Sequence, residues 1–455
     1  MSESVPPVST THRGHLLRVL GVAFGLAVMV GMTIGMGILR TPGEIAALVP
    51  STHMFLLVWV LGAVYALLGA MSLSELATLR PRSGGLYPMV HDALGPFAGF
   101  VSGWTDSLAY CGTIAGVAIV FGEYIGPLVP LLDGHEGLTG SAVVIAFTLL
   151  QWQGVRVGNV VQLLTSSLKG LSLVALAIAA LVMTAPVAPT SVVLSNAPVM
   201  PMGIALIAAV VVALQSAILT YDGWSAPTYF GEEIKDPGRE IPRSIIGGVI
   251  LVMLIYMALN LAFLHVLGIE AMAGDPFVAA STASRLFGPA GDTVMRVLML
   301  VSLLAAVNAL LLSGSRVSYA MSCDELMPAI LKRVNRGGTP IYGLLLQSAV
   351  VLALVATNTF NTLVSLLAFF FVANYVLVFS SLFVQRRRVP EAPRPFRVPF
   401  YPVVPGLALA GSVAFLVATI WSDRNNSLIA TGLLLASWPA FRLMRLWMKA
   451  DVADK

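Results

Sequence analysis

Long apolar runs recur along the whole of this chain, and they constrain its fold more than any other feature. They fall near residues 19–48, 53–79, 96–130, 139–155, 159–184, 203–231, 243–268, 290–322, 341–357, 361–385, 401–421 and 428–447. A helix of ~20 apolar residues matches the hydrocarbon thickness of a bilayer. In lipid, a helix satisfies every backbone N–H and C=O within one segment. Composition agrees: 57% of residues are hydrophobic and 11% charged, where soluble domains carry roughly a quarter charged. The mean hydropathy is +0.88. By length alone, 455 residues would suggest about three soluble domains, but composition overrides that prior. The chain is expected to be an all-α integral membrane protein with twelve transmembrane helices. Residues 1–18 form a polar, proline-containing tail, expected to be disordered to about Thr11. The apolar segment behind it is longer than a signal-peptide core and lacks a cleavage site, so it reads as a retained span. Runs three and eight are too long to stand upright without tilt or an extra turn.

Lysine and arginine place the ends of the spans. One set of connections holds Arg80, Arg82, Arg156, Lys235, Arg239, Arg243, Lys332, Arg333, Arg336 and the basic stretch from Arg386 to Arg397. With both chain ends and Arg316, that side has 21 of the 26 basic residues. The other side keeps Arg40, Arg285, Arg296 and Arg424, and Lys169 is left within a span. Both termini are therefore expected in the cytoplasm, in a multi-pass protein of the cytoplasmic (inner) membrane. The net charge of +4 is 26 Lys and Arg against 22 Asp and Glu. No basic stripe with interleaved aromatics points to nucleic acid.

Two spans carry helix breakers at their centres. "VGMTIGMGILRTP" (Val30 to Pro42) places Gly31, Gly35 and Gly37 around polar Thr33, each glycine costing about 1 kcal/mol relative to alanine in a helix. "AILTYDGWSAPTYFGEE" (Ala217 to Glu233) places Asp222, Gly223, Ser225 and Pro227 in the sixth span. Unwound backbone is tolerated at that depth where it lines a protein cavity. Matching breaks in two halves of a chain point to a transporter site at the midplane. Freed N–H groups and the positive end of a half-helix suit an anion, and freed carbonyls suit an ammonium, so the pair suits a zwitterion. Gly31 and Gly35 also form a G-x-x-x-G pair, whose plainer meaning is close helix packing. Gly31 is open to that role, with Gly35 and Gly37 facing the site.

Those residues resemble a known family. "GMTIGMGILRTP" with "YDGWSAPTYFGEEIKDPGREIPRSI" (Tyr221 to Ile245) is similar to the L-type amino acid transporters of the amino acid–polyamine–organocation superfamily. "PRSGGLYP" (Pro81 to Pro88) and the "SGSR" ending at Arg316 agree with it. The resemblance implies a five-plus-five inverted repeat (a LeuT-like fold) with helices 1 and 6 broken. The first repeat would span residues 19–184 and the second 203–385, with the basic linker and two peripheral spans over 386–449 and a cytoplasmic tail at 450–455. It implies a substrate site made of Thr33, Ile34, Gly35, Met36 and Gly37 with Leu219, Thr220, Asp222 and Ser225. Backbone N–H groups around Gly35, Met36 and Gly37 would hold the carboxylate. Carbonyls near Thr33, Ile34, Leu219 and Asp222 would meet the amine. Leu219 departs from a gating aromatic, which implies a weaker lid or a different size preference, and Met36 departs from a small residue, which favours a small substrate. Lys169 matches a family lysine that stands in for a coupling sodium ion.

Charges within the spans are few. Lys169 is open to snorkelling towards the cytoplasm or to marking an ion or proton pathway. Ala305 and Ala306 in span eight supply no hydroxyl for a sodium site. Asp222 is open to three roles: a cap for the second half of span six, a contact to a substrate amine, or a carrier of the coupling proton. Asp106, Glu75 and Glu123 read as helix-end or inter-helix partners away from the breaks. Glu232 or Glu233 is expected to pair with Arg82 or Arg316 in an inner gate. The proline-rich basic linker from Arg386 to Phe400 reads as resting on anionic headgroups. Cys111 and Cys323 are expected as buried packing residues. The histidines do not cluster at metal-ligand spacing, and no phosphate loop, nucleophile elbow or zinc motif appears, so neither an enzyme, a cofactor nor a metal is expected.

The favoured expectation is a secondary transporter of neutral L-amino acids working by alternating access, as a sodium-independent exchanger, with no obligatory ancillary subunit. A proton-coupled amino acid symporter and an amine or polyamine transporter using Asp222 are the alternatives. A channel or sensor is disfavoured by the lack of a pore-lining ring and of a signalling domain.

Overall fold

Apolar segments that cannot hydrogen-bond to water close their backbones on themselves, and the described residues are accordingly helical. The computed structural model describes residues 16–35, 37–183, 200–357 and 360–453. Most of the polar tail, Met36 and the connection at 184–199 lie outside the described residues. Among the described residues, extended pairing is confined to isolated bridges, Leu20 with Ile234, Ser83 with Phe230 and Val334 with Pro340.

The first apolar run divides into α1 (Val22–Thr33) and α2 (Gly37–Leu48). There follow α3 (Thr52–Leu79), a short α4 (Tyr87–Leu94), α5 (Pro96–Ile125), α6 (Glu136–Trp152), α7 (Val155–Val182) and α8 (Ile204–Tyr221). The second half contains α9 (Pro237–Met272), a short α10 (Val278–Phe287), α11 (Pro289–Cys323), α12 (Ile341–Thr357), α13 (Phe360–Arg388), α14 (Val403–Ser422) and α15 (Arg424–Ala453). Among the described residues, nine helices are long and apolar enough to cross a bilayer, or ten if α1 and α2 form one bent span. Of the other expected spans, α12 is apolar but shorter, and α6 has 17 residues.

Lipid tails are as apolar as leucine, so association within a bilayer rests on close packing and interhelical hydrogen bonds. Both are visible here. A Cβ on Gly140 of α6 would lie 2.5 Å from the Ala118 carbonyl of α5, so these two backbones touch. α11 is buried along most of its length between α5, α7, α12 and α1. A ladder of buried amides ties this core together. Gln151 of α6 donates to the Asn308 carbonyl at 2.9 Å, Asn308 to Gln162 Oε1 at 2.8 Å, and Gln162 to the Ala27 carbonyl of α1 at 3.3 Å. Gly31 makes room for that last contact: a Cβ there would lie 1.9 Å from Gln162 Nε2. The G-x-x-x-G reading therefore holds for Gly31, which packs α1 on α7.

Two expectations need correction. No α-helix continues span six after its break. Ala226–Tyr229 is a single 3-10 turn, followed by irregular chain to Asp236, so Asp222 has no second half-helix to cap. Pro227 at the start of that turn lacks an N–H, and Thr228 Oγ1 takes the Ser225 carbonyl at 2.7 Å, which competes with helix continuation. Runs three and eight are long, as expected, with 30 residues in α5 and 35 in α11, while the 36 residues of α9 are interrupted by a kink at Gly268 (φ +75°). Cys111 is buried as expected, but Cys323 is exposed, since it closes α11 where the helix leaves the packed core.

Gly31→Val should overpack the α1–α7 contact, at a cost of ~1–3 kcal/mol, and lower the thermal midpoint of the purified protein. Gly170→Ala on α7, where a Cβ meets nothing within 4 Å, should leave that midpoint unchanged or raise it.

Candidate functional site

α1 stops at Thr33, and Ile34 turns extended (φ −79°, ψ 93°). The chain resumes as α2 with its axis bent by 45°. α8 stops at Tyr221 in the same manner, with Asp222 extended (φ −64°, ψ 153°) and Gly223 at φ +112°, a conformation glycine adopts without a Cβ penalty. The two breaks lie against each other. A Cβ on Gly223 would lie 2.7 Å from Thr33 Oγ1 and 2.9 Å from Thr33 N. Tyr256 of α9 staples them, its hydroxyl shared between the Thr33 carbonyl at 2.9 Å and the Thr220 carbonyl at 3.1 Å. The glycines divide the work. Gly31 packs on α7; Gly37 packs on Thr220, whose Cγ2 would lie 2.8 Å from its Cβ; beside Gly35 a Cβ would meet nothing within 4 Å.

The carbonyls freed at the end of α1 carry the negative end of the helix dipole. Lys169 of α7, only 2% exposed, answers them. Its ammonium donates to the Gly31 carbonyl at 3.0 Å, to the Ile34 carbonyl, and to the Ser302 carbonyl of α11 at 3.5 Å. Ser302 Oγ adds a second bond to the Ile34 carbonyl at 3.3 Å. The lysine thus points inward, with all three of its donors used, rather than snorkelling out. Ala305 and Ala306 lie buried a turn away.

At the second break, the Asp222 carboxylate accepts the hydroxyl of Tyr375 from α13. Its own N–H returns to the Leu219 carbonyl at 3.1 Å. Trp224 stacks on Tyr375 with ring centroids 4.7 Å apart, so α13 grips the unwound segment by ring and hydroxyl together. Leu219 is 39% exposed, while Thr220 and Ser225 are buried beside it. Asp106 of α5 reaches the same segment, accepting the Tyr229 hydroxyl at 2.7 Å; sequence spacing had set it apart from the breaks. Glu75 bridges α3 to α13 and the linker, contacting Arg386 at 2.6 Å and Arg394 at 3.1 Å.

Two ion-pair groups lie below the breaks, on the side of Arg82 and Arg316. Arg316 and Glu233 are both fully buried and meet in a fork, Nε to Oε1 at 2.8 Å and Nη2 to Oε2 at 3.0 Å. The guanidinium also donates to the Leu312 carbonyl at 2.7 Å and lies 4.8 Å over the Phe230 ring. Arg82 pairs with neither glutamate. Its Nη2 donates to both carboxylate oxygens of Asp324 at 2.7 Å, and its Nη1 reaches Asp92 at 3.3 Å. Burial works against ionisation of Asp92, yet the His91 bond and the charges of Arg82 and Arg80 hold its carboxyl below the usual range. Glu232 instead joins its loop to Ser83, accepting from the Ser83 N–H at 3.3 Å while its own N–H donates to Ser83 Oγ at 3.1 Å.

Sequence reasoning missed Tyr256, Tyr375, Ser302 and Asp324. The first three sit inside apolar runs, where one hydroxyl is no signal until its neighbour is known. For Asp324, "CDELMP" directly after the SGSR-bearing span offered a carboxylate at the correct end, and a search for acidic partners of Arg82 would have reached it.

The profile of the amino acid permease family matches residues 17–438. The serine/threonine exchanger SteT of Bacillus subtilis is 29% identical over 440 residues, covering 96% of this chain and 98% of that protein. The human large neutral amino acids transporter small subunit 2 is 26% identical, covering 95% and 81%. The human b(0,+)-type amino acid transporter 1 is also 26% identical, covering 97% and 90%.

Arg316→Ala should destabilise the protein by ~3–5 kcal/mol because it strands the Glu233 charge in the interior. The double change Glu233→Met with Arg316→Met should recover most of that thermal stability. Unchanged transport kinetics in Arg316→Gln would remove the pair from the gate.

Proposed function

This chain belongs to the amino acid permease family, a family of transporters rather than enzymes, and on that footing we propose that it exchanges neutral L-amino acids without sodium by alternating access. The observation that carries the reading is the contact between the two helix breaks, with Gly35 fronting open space. The substrate carboxylate is assigned to N–H groups around Gly35, Met36 and Gly37, at the positive end of α2. Lys169 and Ser302 already occupy the Ile34 carbonyl. The amine is therefore assigned to the remaining lone pairs of Thr33, Thr220 and Leu219 and to the Asp222 carboxylate, with Ser225 beside them. Met36 and the lack of an aromatic at Leu219 suit a small side chain, and one relative is named a serine/threonine exchanger.

Two five-helix repeats, 19–184 and 203–385, rock about this site in a twelve-span inner-membrane protein with cytoplasmic termini and no obligatory ancillary subunit. Glu233 with Arg316 closes the cytoplasmic path, supported by Arg82 and Glu232. Opening inward requires that fork to part, and a bound substrate supplies the contacts that offset the loss. Lys169 stays charged throughout as the fixed cation between α1, α7 and α11.

A second reading is proton-coupled symport, favoured by the Asp222–Tyr375 contact beside the break; an amine substrate held by Asp222 is a further option. Proteoliposomes separate them. Exchange predicts uptake stimulated severalfold by internal amino acid and indifferent to an imposed pH gradient. Uptake into empty vesicles driven by a pH gradient would favour symport, and competition by amines lacking a carboxylate would favour the amine substrate. Lys169→Ala should lower turnover more than it weakens substrate binding, and equal losses in both would count against its role.

A further inference from the structure

The first turns of α9 carry a stripe that changes chemistry along its length. Arg239, Arg243, Gly247 and Ile250 recur at helical spacing along one face, with Ile246 beside them. Among the described residues Arg243 makes no hydrogen bond or ion pair, and Arg239 has only the exposed Asp236 at 4.0 Å. A Cβ on Gly247 would meet nothing within 4 Å, and Ile250 is 40% exposed. Opposite them the linker after α13 contributes Phe396, brought close because Pro395 packs on Gly238, where a Cβ would lie 3.2 Å away. Together these surfaces flank an open groove of about 470 Å³. Its cationic end sits where the apolar run of α9 begins, the point at which a spanning helix meets headgroups. Its apolar end continues into the exposed flank of Leu251 and Leu254.

We propose that this groove binds one anionic phospholipid. The phosphodiester lies on Arg239 and Arg243, and an acyl chain runs along Gly247 and Ile250 against Phe396. Charge selects this occupant. An unpaired Arg243 and an Arg239 balanced only by the exposed Asp236 at 4.0 Å attract a phosphate, and the ammonium of a zwitterionic headgroup would be repelled by them. A free phosphate would leave the apolar half uncovered. The lipid would join the linker to the chain that follows Glu233, a stretch already tied to the N-terminal segment by the Lys235 N–H donating to the Leu20 carbonyl at 2.9 Å.

The test reads lipid rather than transport, so it stands apart from the proposed function. The full-length protein is equilibrated in bilayer discs holding equal phosphatidylglycerol and phosphatidylcholine of matched chains, and co-purifying lipid is counted by mass spectrometry of the intact complex. One phosphatidylglycerol should be retained in preference. Arg243→Gln should reduce its retention about fivefold, the ratio expected for one surface arginine, and Arg239→Gln with Arg243→Gln about twenty-five-fold. Arg243→Lys should keep most of it, and Gly247→Trp, which fills the apolar half without touching the charges, should displace it. Equal retention of the two lipids, unchanged retention in the double variant, or displacement by millimolar inorganic phosphate would each overturn the proposal.

Discussion

A buried ammonium group holding the frayed end of a helix is the interaction on which the rest of this structure depends. Once α1 stops at Thr33, its last carbonyls have neither water nor a next helical turn to receive them, and an unsatisfied polar group in such surroundings costs several kcal/mol. Lys169 satisfies two of these carbonyls and joins α7 and α11 to the break in doing so. A lysine in an apolar interior is itself expensive unless its donors are engaged. Each group is thus tolerable because of the other. The break can persist without substrate, and the open space beside Gly35 persists with it.

The second break is secured differently, by tyrosines. Tyr375 and Tyr256 reach it from α13 and α9, and Tyr229 within its 3-10 turn reaches out to Asp106 of α5. A ring of this kind has a large apolar body for packing and one hydroxyl for a backbone or carboxylate partner. Unwound chain between packed helices needs both. Tyr256 touches both breaks at once.

Charge is arranged in layers towards the arginine-rich side. The Arg316–Glu233 fork is sealed from solvent, whereas Arg82, Asp324 and Asp92 keep partial exposure. Burial makes the first pair all-or-none: with one partner gone, the remaining charge has no water to turn to. The partly exposed group separates at lower cost, since solvent screens and replaces its contacts. A dry pair backed by a wet one can hold firmly and still come apart in steps.

Much of this was legible in the chain itself. Apolar length required helices, because lipid offers the backbone no other partner, and glycines, Pro227 and Asp222 in the middle of two runs announced where those helices fail. The arginines and glutamates of the arginine-rich side could also be named, though their pairing could not: Arg82 found Asp324, a residue more than two hundred positions away. Spacing along one span could not decide which of Gly31, Gly35 and Gly37 faces a neighbour and which faces space, because that depends on where α7 and α8 stand. The missing half-helix after Asp222 was likewise a tertiary matter, as Tyr375, Trp224 and Asp106 hold that stretch in a turn. Composition and breakers determined that this is a bundle of membrane helices with two interruptions. Only packing decided that the interruptions meet, since hydrogen-bond partners from α7, α9, α11 and α13 become partners only when the bundle is assembled.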